Sequence, residues 1–261
     1  MQGKDTVEPV TRPAAGSRRG KLVTLIAKGT DTTPAIIREM WRLRCSYLDL
    51  KIPEAEDWVR FSGYCQRPEV TLVNFFDMEG NLAGFFTFAY YPMAHEGRKA
   101  LIIHAKYYYV HREWRGHPAF TTAAWKLLPG ILRRYGLRSI YFAALTFPTS
   151  FVSLARTFGR VYTIQETTTP PWERAVLKQF AMLSYGEEFD AEACVARRQN
   201  VPQGENRPQP ESIRKLVERY EALNPAWREG VSLPIMMKLD LPTVWSTLST
   251  SFRRMLRKFG R

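Results

Sequence analysis

The sequence predicts an α+β fold: a mixed, mostly antiparallel central sheet flanked by helices, with a C-terminal helical extension. Three observations carry this. Two apolar runs, Val70–Phe76 and residues 82–90, are joined by Asp77-Met-Glu-Gly-Asn81, a glycine-bearing connection of a length that suits a β-hairpin. A third run, 100–110, follows closely and carries three consecutive tyrosines, a residue type that favours strands. Segments with helical period lie before and after this meander.

Residues 1–20 hold glycine, proline, serine, threonine and the Arg18-Arg19 pair, with little to bury, and read as a flexible basic arm. Residues 21–27 are a short β-rich run. Asp31-Thr-Thr-Pro34 supplies an N-cap followed by an early proline, and Ile36, Ile37, Met40, Trp41, Leu43 and Leu48 then recur near helical period until Pro53 ends the helix. Residues 54–66 form a second helix with Trp58, Phe61 and Tyr64 on one side. After the meander, Pro118–Tyr135 is a helix that opens on proline and stops before Gly136; Pro129-Gly130 is expected to bend or shorten it. Residues 138–145 form a strand, and 150–158 and 172–183 two more helices. The composition turns polar over 186–210, which reads as a linker or surface loop. Glu211–Leu223 is helical, 232–241 adds a strand or packs on the main domain, and Pro242 opens a last helix. The expected division is therefore an arm over 1–20, a domain over 21–185, a linker over 186–210 and an extension over 211–261.

Composition narrows the function. The 261 residues, 45% hydrophobic and 13% aromatic, suffice for a packed core. No apolar run approaches the ~20 residues of a membrane span, and no secretory signal is apparent, so a cytoplasmic location is expected. Cys45, Cys65 and Cys194 form no CxxC pair, which argues against a disulfide framework or a cysteine zinc site. Sequence patterns for metal or nucleotide hydrolysis are missing, and no metal is expected. The net charge of +13, from 38 basic and 25 acidic residues, draws polyanions. Nucleic acid is not the expected partner, because no RNP-type motif accompanies the basic residues.

The stretch from Tyr109 to Ala119, Tyr-Val-His-Arg-Glu-Trp-Arg-Gly-His-Pro-Ala, follows a strand and opens a helix. Val110 with Arg115-Gly116 matches the pattern V-x-x-x-x-R-G-x-G-x-G/A. Through it, and over about residues 21–162, the chain resembles the GNAT superfamily of N-acetyltransferases. The resemblance implies a thioester donor, acyl-CoA or acyl carrier protein, held by Val110, Arg112, Arg115, Gly116 and His117 where backbone N–H groups and the helix N-terminus meet phosphate. The two later glycine positions of that pattern are Pro118 and Phe120 here. In a second family signature, Gly159 is kept, while the place where many relatives carry a tyrosine general acid is Ala155.

Acyl transfer to an amine needs a proton acceptor. On a regular strand the even-numbered residues Ile102, His104, Lys106, Tyr108 and Val110 share a face, and His104 is the candidate base; Glu113, just past the strand, is a second candidate catalytic group. The basic residues between Arg98 and Arg138 are expected to hold phosphates or meet an acidic acyl carrier protein. The amine-bearing acceptor is left open. At the C-terminus Trp245, Leu248, Phe252 and Phe259 recur at three- and four-residue steps, interleaved with Arg253, Arg254, Arg257 and Lys258. That pattern predicts an interfacial helix on an anionic membrane surface, peripheral to its inner face. The alternative expectation is a catalytically silent GNAT-fold protein that binds a partner or lipid.

Overall fold

The computed structural model describes residues 20–135, 139–197, 200–202 and 211–240. In chain order the elements are β1 (Val23–Lys28), α1 (Pro34–Cys45), β2 (Leu48–Leu50), α2 (Glu54–Cys65), β3 (Val70–Phe76), β4 (Leu82–His95), β5 (Arg98–Val110) and α3 (Pro118–Tyr135). There follow β6 (Ser139–Thr146), α4 (Pro148–Phe158), β7 (Tyr162–Thr163), α5 (Pro171–Tyr185), β8 (Phe189–Asp190), β9 (Val195–Arg197), β10 (Asn200–Pro202), α6 (Glu211–Leu223) and β11 (Val231–Lys238).

The main sheet runs β1-β3-β4-β5-β6-β11-β9-β8, with β7 also paired to β11. Every pairing is antiparallel except β5 with β6. A mixed, mostly antiparallel sheet flanked by helices is what the sequence predicts.

Helix α1 starts as its sequence dictates: the Thr33 hydroxyl accepts from the Ile36 N–H at 3.5 Å and Pro34 occupies the first turn. It stops at Cys45, earlier than Pro53. Leu48 belongs instead to β2, which pairs with β10. The β4–β5 hairpin is longer than expected, because Glu96 and Gly97, both at positive φ, form a two-residue turn between His95 and Arg98. Helix α3 runs on through Pro129 as one element, with Pro129 and Gly130 exposed.

One face of the sheet carries α1, α2 and α5. Ile37, Met40, Phe61 and Tyr64 pack there on Leu72 and Phe85, while Val176, Leu177 and Phe180 of α5 cover Ile102 and Ala143. The other face carries α3 over Leu101, Ile103 and Ile140, and α4 with α6 over Leu233, Ile235 and Met237. Phe142 touches both groups on this second face. Gly84 sits where a Cβ would lie 2.9 Å from the Tyr109 carbonyl, so its lack of a side chain permits the close approach of β4 to β5.

Three short strands lie in the stretch expected as a linker. Beyond it, β11 occupies the interior of the sheet between β6 and β9, with Leu233, Ile235, Met236 and Met237 at 0% exposure. The last helix expected from Pro242 onward, with Trp245, Leu248, Phe252, Arg253, Arg254, Arg257, Lys258 and Phe259, lies outside the described residues, as do residues 1–19.

Candidate functional site

The site is set by where two parallel strands separate. β5 and β6 pair from Ala100 with Ser139 to His104 with Ala143, and no further. Beyond that point β6 continues along β11, through Ala144, Leu145 and Thr146, while β5 continues along β4. The unshared edges of the two strands therefore face each other over this stretch.

A bulge accompanies the separation. Phe86 is opposite Tyr108, yet Phe88 is opposite Ala105, so β5 carries one extra residue. The Thr87 hydroxyl takes up the displaced backbone by accepting from the Tyr107 N–H at 3.1 Å. This overturns the expected shared face. His104 and Ile102 look toward the helices α1, α2 and α5, and so do Tyr107, Tyr109 and the Lys106 ammonium, 4.6 Å from the Tyr64 ring centre. Tyr108 and Val110 turn to the α3 face, where Tyr108 stacks on Phe86 at 4.5 Å. An inserted residue reverses the alternation for everything after it.

His104 is 1% exposed. Its Nε2 is 2.9 Å from the Tyr185 hydroxyl, and its ring lies edge-on to Phe180 at 5.1 Å and to Tyr185 at 5.5 Å. An acceptor amine would touch this imidazole directly only if α5 moved. Glu113 is exposed on the turn Arg112–Trp114. The six residue steps from His104 to Val110 alone span roughly 20 Å of strand. The structure does not bring His104 and Glu113 together.

The loop after β5 is bound up in itself. Val110 is buried, and its carbonyl accepts from the Tyr47 hydroxyl at 3.1 Å. The Trp114, Arg115 and His117 N–H groups donate to the carbonyls of His111, Arg112 and Trp114. His117 is half-buried, and its Nδ1 accepts from the Ala119 N–H at 3.2 Å, while its carbonyl accepts from the Phe120 N–H. Pro118 has no N–H. The first turn of α3 is thus capped by His117, and the Arg115, His117, Ala119 and Phe120 N–H groups, which a pyrophosphate would otherwise meet, are engaged within the loop. The residues do not fit a backbone cradle. Gly116 at φ +75° makes the turn, and Arg112 and Arg115 stay exposed, Arg115 with its guanidinium 5.1 Å from the Tyr47 ring. Phosphate could be met here by side-chain cations, which bind it without an N–H nest. Beside the loop a cavity of about 350 Å³ lies between α1 and the β3–β4 turn, lined by Glu39, Arg42, Ser46, Asn81 and His111 among others.

The remaining basic residues of this region do not converge. Arg98 stacks on Trp172 at the β4–β5 turn, Lys106 lies against Tyr64, and Lys126, Arg133 and Arg134 stand on the outer side of α3; Arg138 is outside the described residues. Cysteine chemistry is disfavoured. Burial pushes the Cys65 thiol up to about 12 and the Cys45 thiol to about 11, so neither forms a thiolate near neutral pH. Tyr162, the tyrosine nearest Gly159, is 6% exposed in β7, and burial raises its pKa. Ala155 is buried in α4. Tyr185 and Tyr47, which hold His104 and the loop, carry no sequence signal, because each acts across a long separation in the chain. Among the described residues no group of three or more His, Cys, Asp or Glu side chains could hold a metal, and no helix is long and apolar enough to cross a membrane.

No family model matches the chain, and no curated protein does. Solved structures do resemble it. A ribosomal-protein-alanine N-acetyltransferase from Brucella melitensis biovar Abortus 2308 is 19% identical, with 52% of this chain and 89% of that one covered and a TM-score of 0.37. An acyl-CoA N-acyltransferase from Pseudomonas aeruginosa is 14% identical, with 56% and 92% covered and a TM-score of 0.39. An acetyltransferase from Trypanosoma brucei is 15% identical, with 57% and 100% covered and a TM-score of 0.38. At these values the likeness says nothing of activity.

Proposed function

We propose that this GNAT-like chain is an N-acyltransferase that takes an acyl group from acyl-CoA or an acyl carrier protein and works at the surface of a membrane. The observation that carries the reading is the separation of β5 from β6 after His104 and Ala143. Between two strand edges that no longer pair, an extended amide-bearing arm can hydrogen-bond as an added strand would. The donor would supply an activated thioester carbonyl. Arg112 and Arg115, exposed beyond the end of β5, meet its phosphate from outside. His104 accepts the proton of the attacking amine by way of Tyr185, 2.9 Å from its Nε2: the tyrosine passes its hydroxyl proton to Nε2 and takes the proton of the amine in its place. No general acid is required where Ala155 stands, since a thiol is acidic enough to leave as thiolate. The terminal segment with Trp245, Phe252 and Phe259 supplies membrane attachment through apolar insertion and charge.

A second reading, a silent protein that binds a partner or lipid, is favoured by one observation: His117 and the loop carbonyls already engage the donors of the loop. Calorimetry separates the two. The enzyme reading expects the protein to bind an acyl-CoA or an acylated carrier protein, and Arg115→Ala to weaken that binding about tenfold with the melting temperature unchanged. Absence of binding to either donor by the wild-type protein leaves the silent reading. Deleting 242–261 is expected to abolish cosedimentation with anionic liposomes; equal binding without those residues refutes membrane attachment through them.

A further inference from the structure

We propose that the outer face formed by α3 and α4 is the surface this protein lays against an anionic membrane, so that the domain is oriented and not merely tethered. The proposal rests on the membrane reading above and adds the face that contacts lipid.

The first observation is the charge of these helices. Neither Pro118–Tyr135 nor Pro148–Phe158 contains an aspartate or glutamate. Lys126, Arg133 and Arg134 of α3 and Arg156 of α4 are all exposed. The two helices cover the same face of the sheet, where Phe142 of β6 packs against the cluster beneath each of them. None of the four cations has an ion-pair partner among the described residues.

On other helices several cations are paired locally. Arg214 of α6 pairs with Glu211 and Glu218, Arg219 with Glu166, and Arg228 with Glu221. On α2, Arg60 pairs with Glu56, and the buried Arg44 with Asp57. The α3–α4 face differs in that, of the six α-helices described, α3 and α4 are the two without a carboxylate, so the charge on this face is of one sign, which is the condition for attraction to an anionic plane.

The second observation is where the chain leaves the sheet. After β11, the Leu239 N–H donates to the Ile140 carbonyl at 2.8 Å, and the Leu239 side chain packs against the cluster that Ile140 shares with Ile131 of α3. Arg133 and Arg134 are in the last turn of α3. The described chain thus ends beside the start of β6, whose first residue, Ser139, comes four positions after Tyr135 at the end of α3; residues 241–261 follow in sequence. They carry Trp245, Phe252 and Phe259 and five basic residues within the final nine.

Those apolar side chains favour lipid over other polyanions. Tryptophan and phenylalanine alone could stack on RNA bases, but Leu248, Met255 and Leu256 in the same segment add aliphatic surface that neither RNA nor an acidic protein surface takes up. A membrane boundary takes both this surface and the cations, since aromatic rings enter the acyl-headgroup region while long basic side chains reach phosphates. Cations on the domain and on the tail then act on one plane, and their contributions add.

The test keeps the tail and changes the domain. Full-length protein is titrated with phosphatidylcholine vesicles containing or lacking phosphatidylglycerol. The variant Lys126→Ala/Arg133→Ala/Arg134→Ala/Arg156→Ala is expected to bind the anionic vesicles about tenfold more weakly or worse at low salt. A charge-keeping version, Lys126→Arg with the three arginines changed to lysine, is expected to retain wild-type affinity, which excludes a folding defect as the cause. Removing the same kind of charge from the other face, Arg38→Ala/Arg42→Ala/Arg67→Ala, is expected to change affinity less than about twofold. Equal binding by wild type and the α3–α4 variant overturns the proposal and leaves the membrane reading standing. Failure of the wild-type chain to bind anionic vesicles removes both. Unchanged vesicle binding with lost binding to RNA or to an acidic acyl carrier protein also overturns it, and reassigns the face to that partner.

Discussion

Removing the carboxylate of Asp57 is expected to cost about 3–5 kcal/mol of folding stability. Asp57 and Arg44 are both 3% exposed and sit between α1 and α2. The carboxylate takes two guanidinium hydrogen bonds from Arg44, one at 3.0 Å to Oδ1, and a third from the Trp41 indole N–H at 2.8 Å. The Arg44 guanidinium also lies 5.5 Å from the Phe61 ring and 5.4 Å from the Tyr107 ring. Burial works against its charge, and the hydrogen bonds to Asp57 outweigh this, holding its pKa above the ordinary value. Asp57→Ala strips the charge of its partner and leaves it buried, which is the expensive case. Trp41 is only partly covered, so its N–H can turn to water and adds little. Replacing both members, Arg44→Met with Asp57→Leu, removes the charge and the need for a partner together, and is expected to lie within about 2 kcal/mol of wild type. Urea unfolding of the wild type, Arg44→Met, Asp57→Leu and the double variant gives the coupling energy directly. A loss under about 1 kcal/mol for Asp57→Ala, or additive single losses in the double variant, would refute the view that this pair locks α1 to α2.

Other expectations follow from single contacts. Glu166 accepts two 2.7 Å hydrogen bonds from Arg219 and one from Thr163; burial raises its pKa, and these bonds and the Arg219 charge bring it below the ordinary value of 4.5. A depressed carboxylate contributes stability above its unfolded pKa and loses it as pH falls through the folded one. The wild type should therefore lose stability below about pH 4.5, and Glu166→Gln should flatten that acid limb in pH-dependent urea melts. Gly29→Ala would put a Cβ 1.9 Å from the Cys65 carbonyl oxygen, so the loop before α1 must move; a loss of about 3 kcal/mol in chemical denaturation is expected. Met236→Ala, at a fully buried position of β11, should cost about 2–5 kcal/mol by the same assay.

Local chemistry was legible in the sequence, and long-range chemistry was not. The Thr33-Pro34 helix start, the β3–β4 hairpin and the β5-loop-α3 order are short-range patterns, and each stands where its residues predict. The bulge at Lys106 and Tyr107 has no local signature, since it depends on Thr87 in the neighbouring strand accepting a displaced N–H. Parity along β5 therefore failed from that point. The end of α1 is not fixed by local pattern, because Leu48 fits a helical period as well as a strand, and its partner β10 lies some 150 residues away. Within the site, the positions of Arg115 and Gly116 were readable from their spacing. The capping of α3 by His117 was not, because the same residue in the same place could equally face a ligand.

The interior position of β11 has a consequence for how the protein is made. β6 precedes its antiparallel neighbour by more than eighty residues, as the register of Thr146 with Leu233 shows. Until that neighbour is synthesised, one side of β6 keeps its amides and carbonyls unpaired beside apolar residues such as Phe142 and Ala144. An edge of that kind invites pairing with other chains. A nascent or prematurely ended chain lacking Val231–Lys238 would thus be a target for chaperones and proteases, and quality control of this protein hinges on its last described strand.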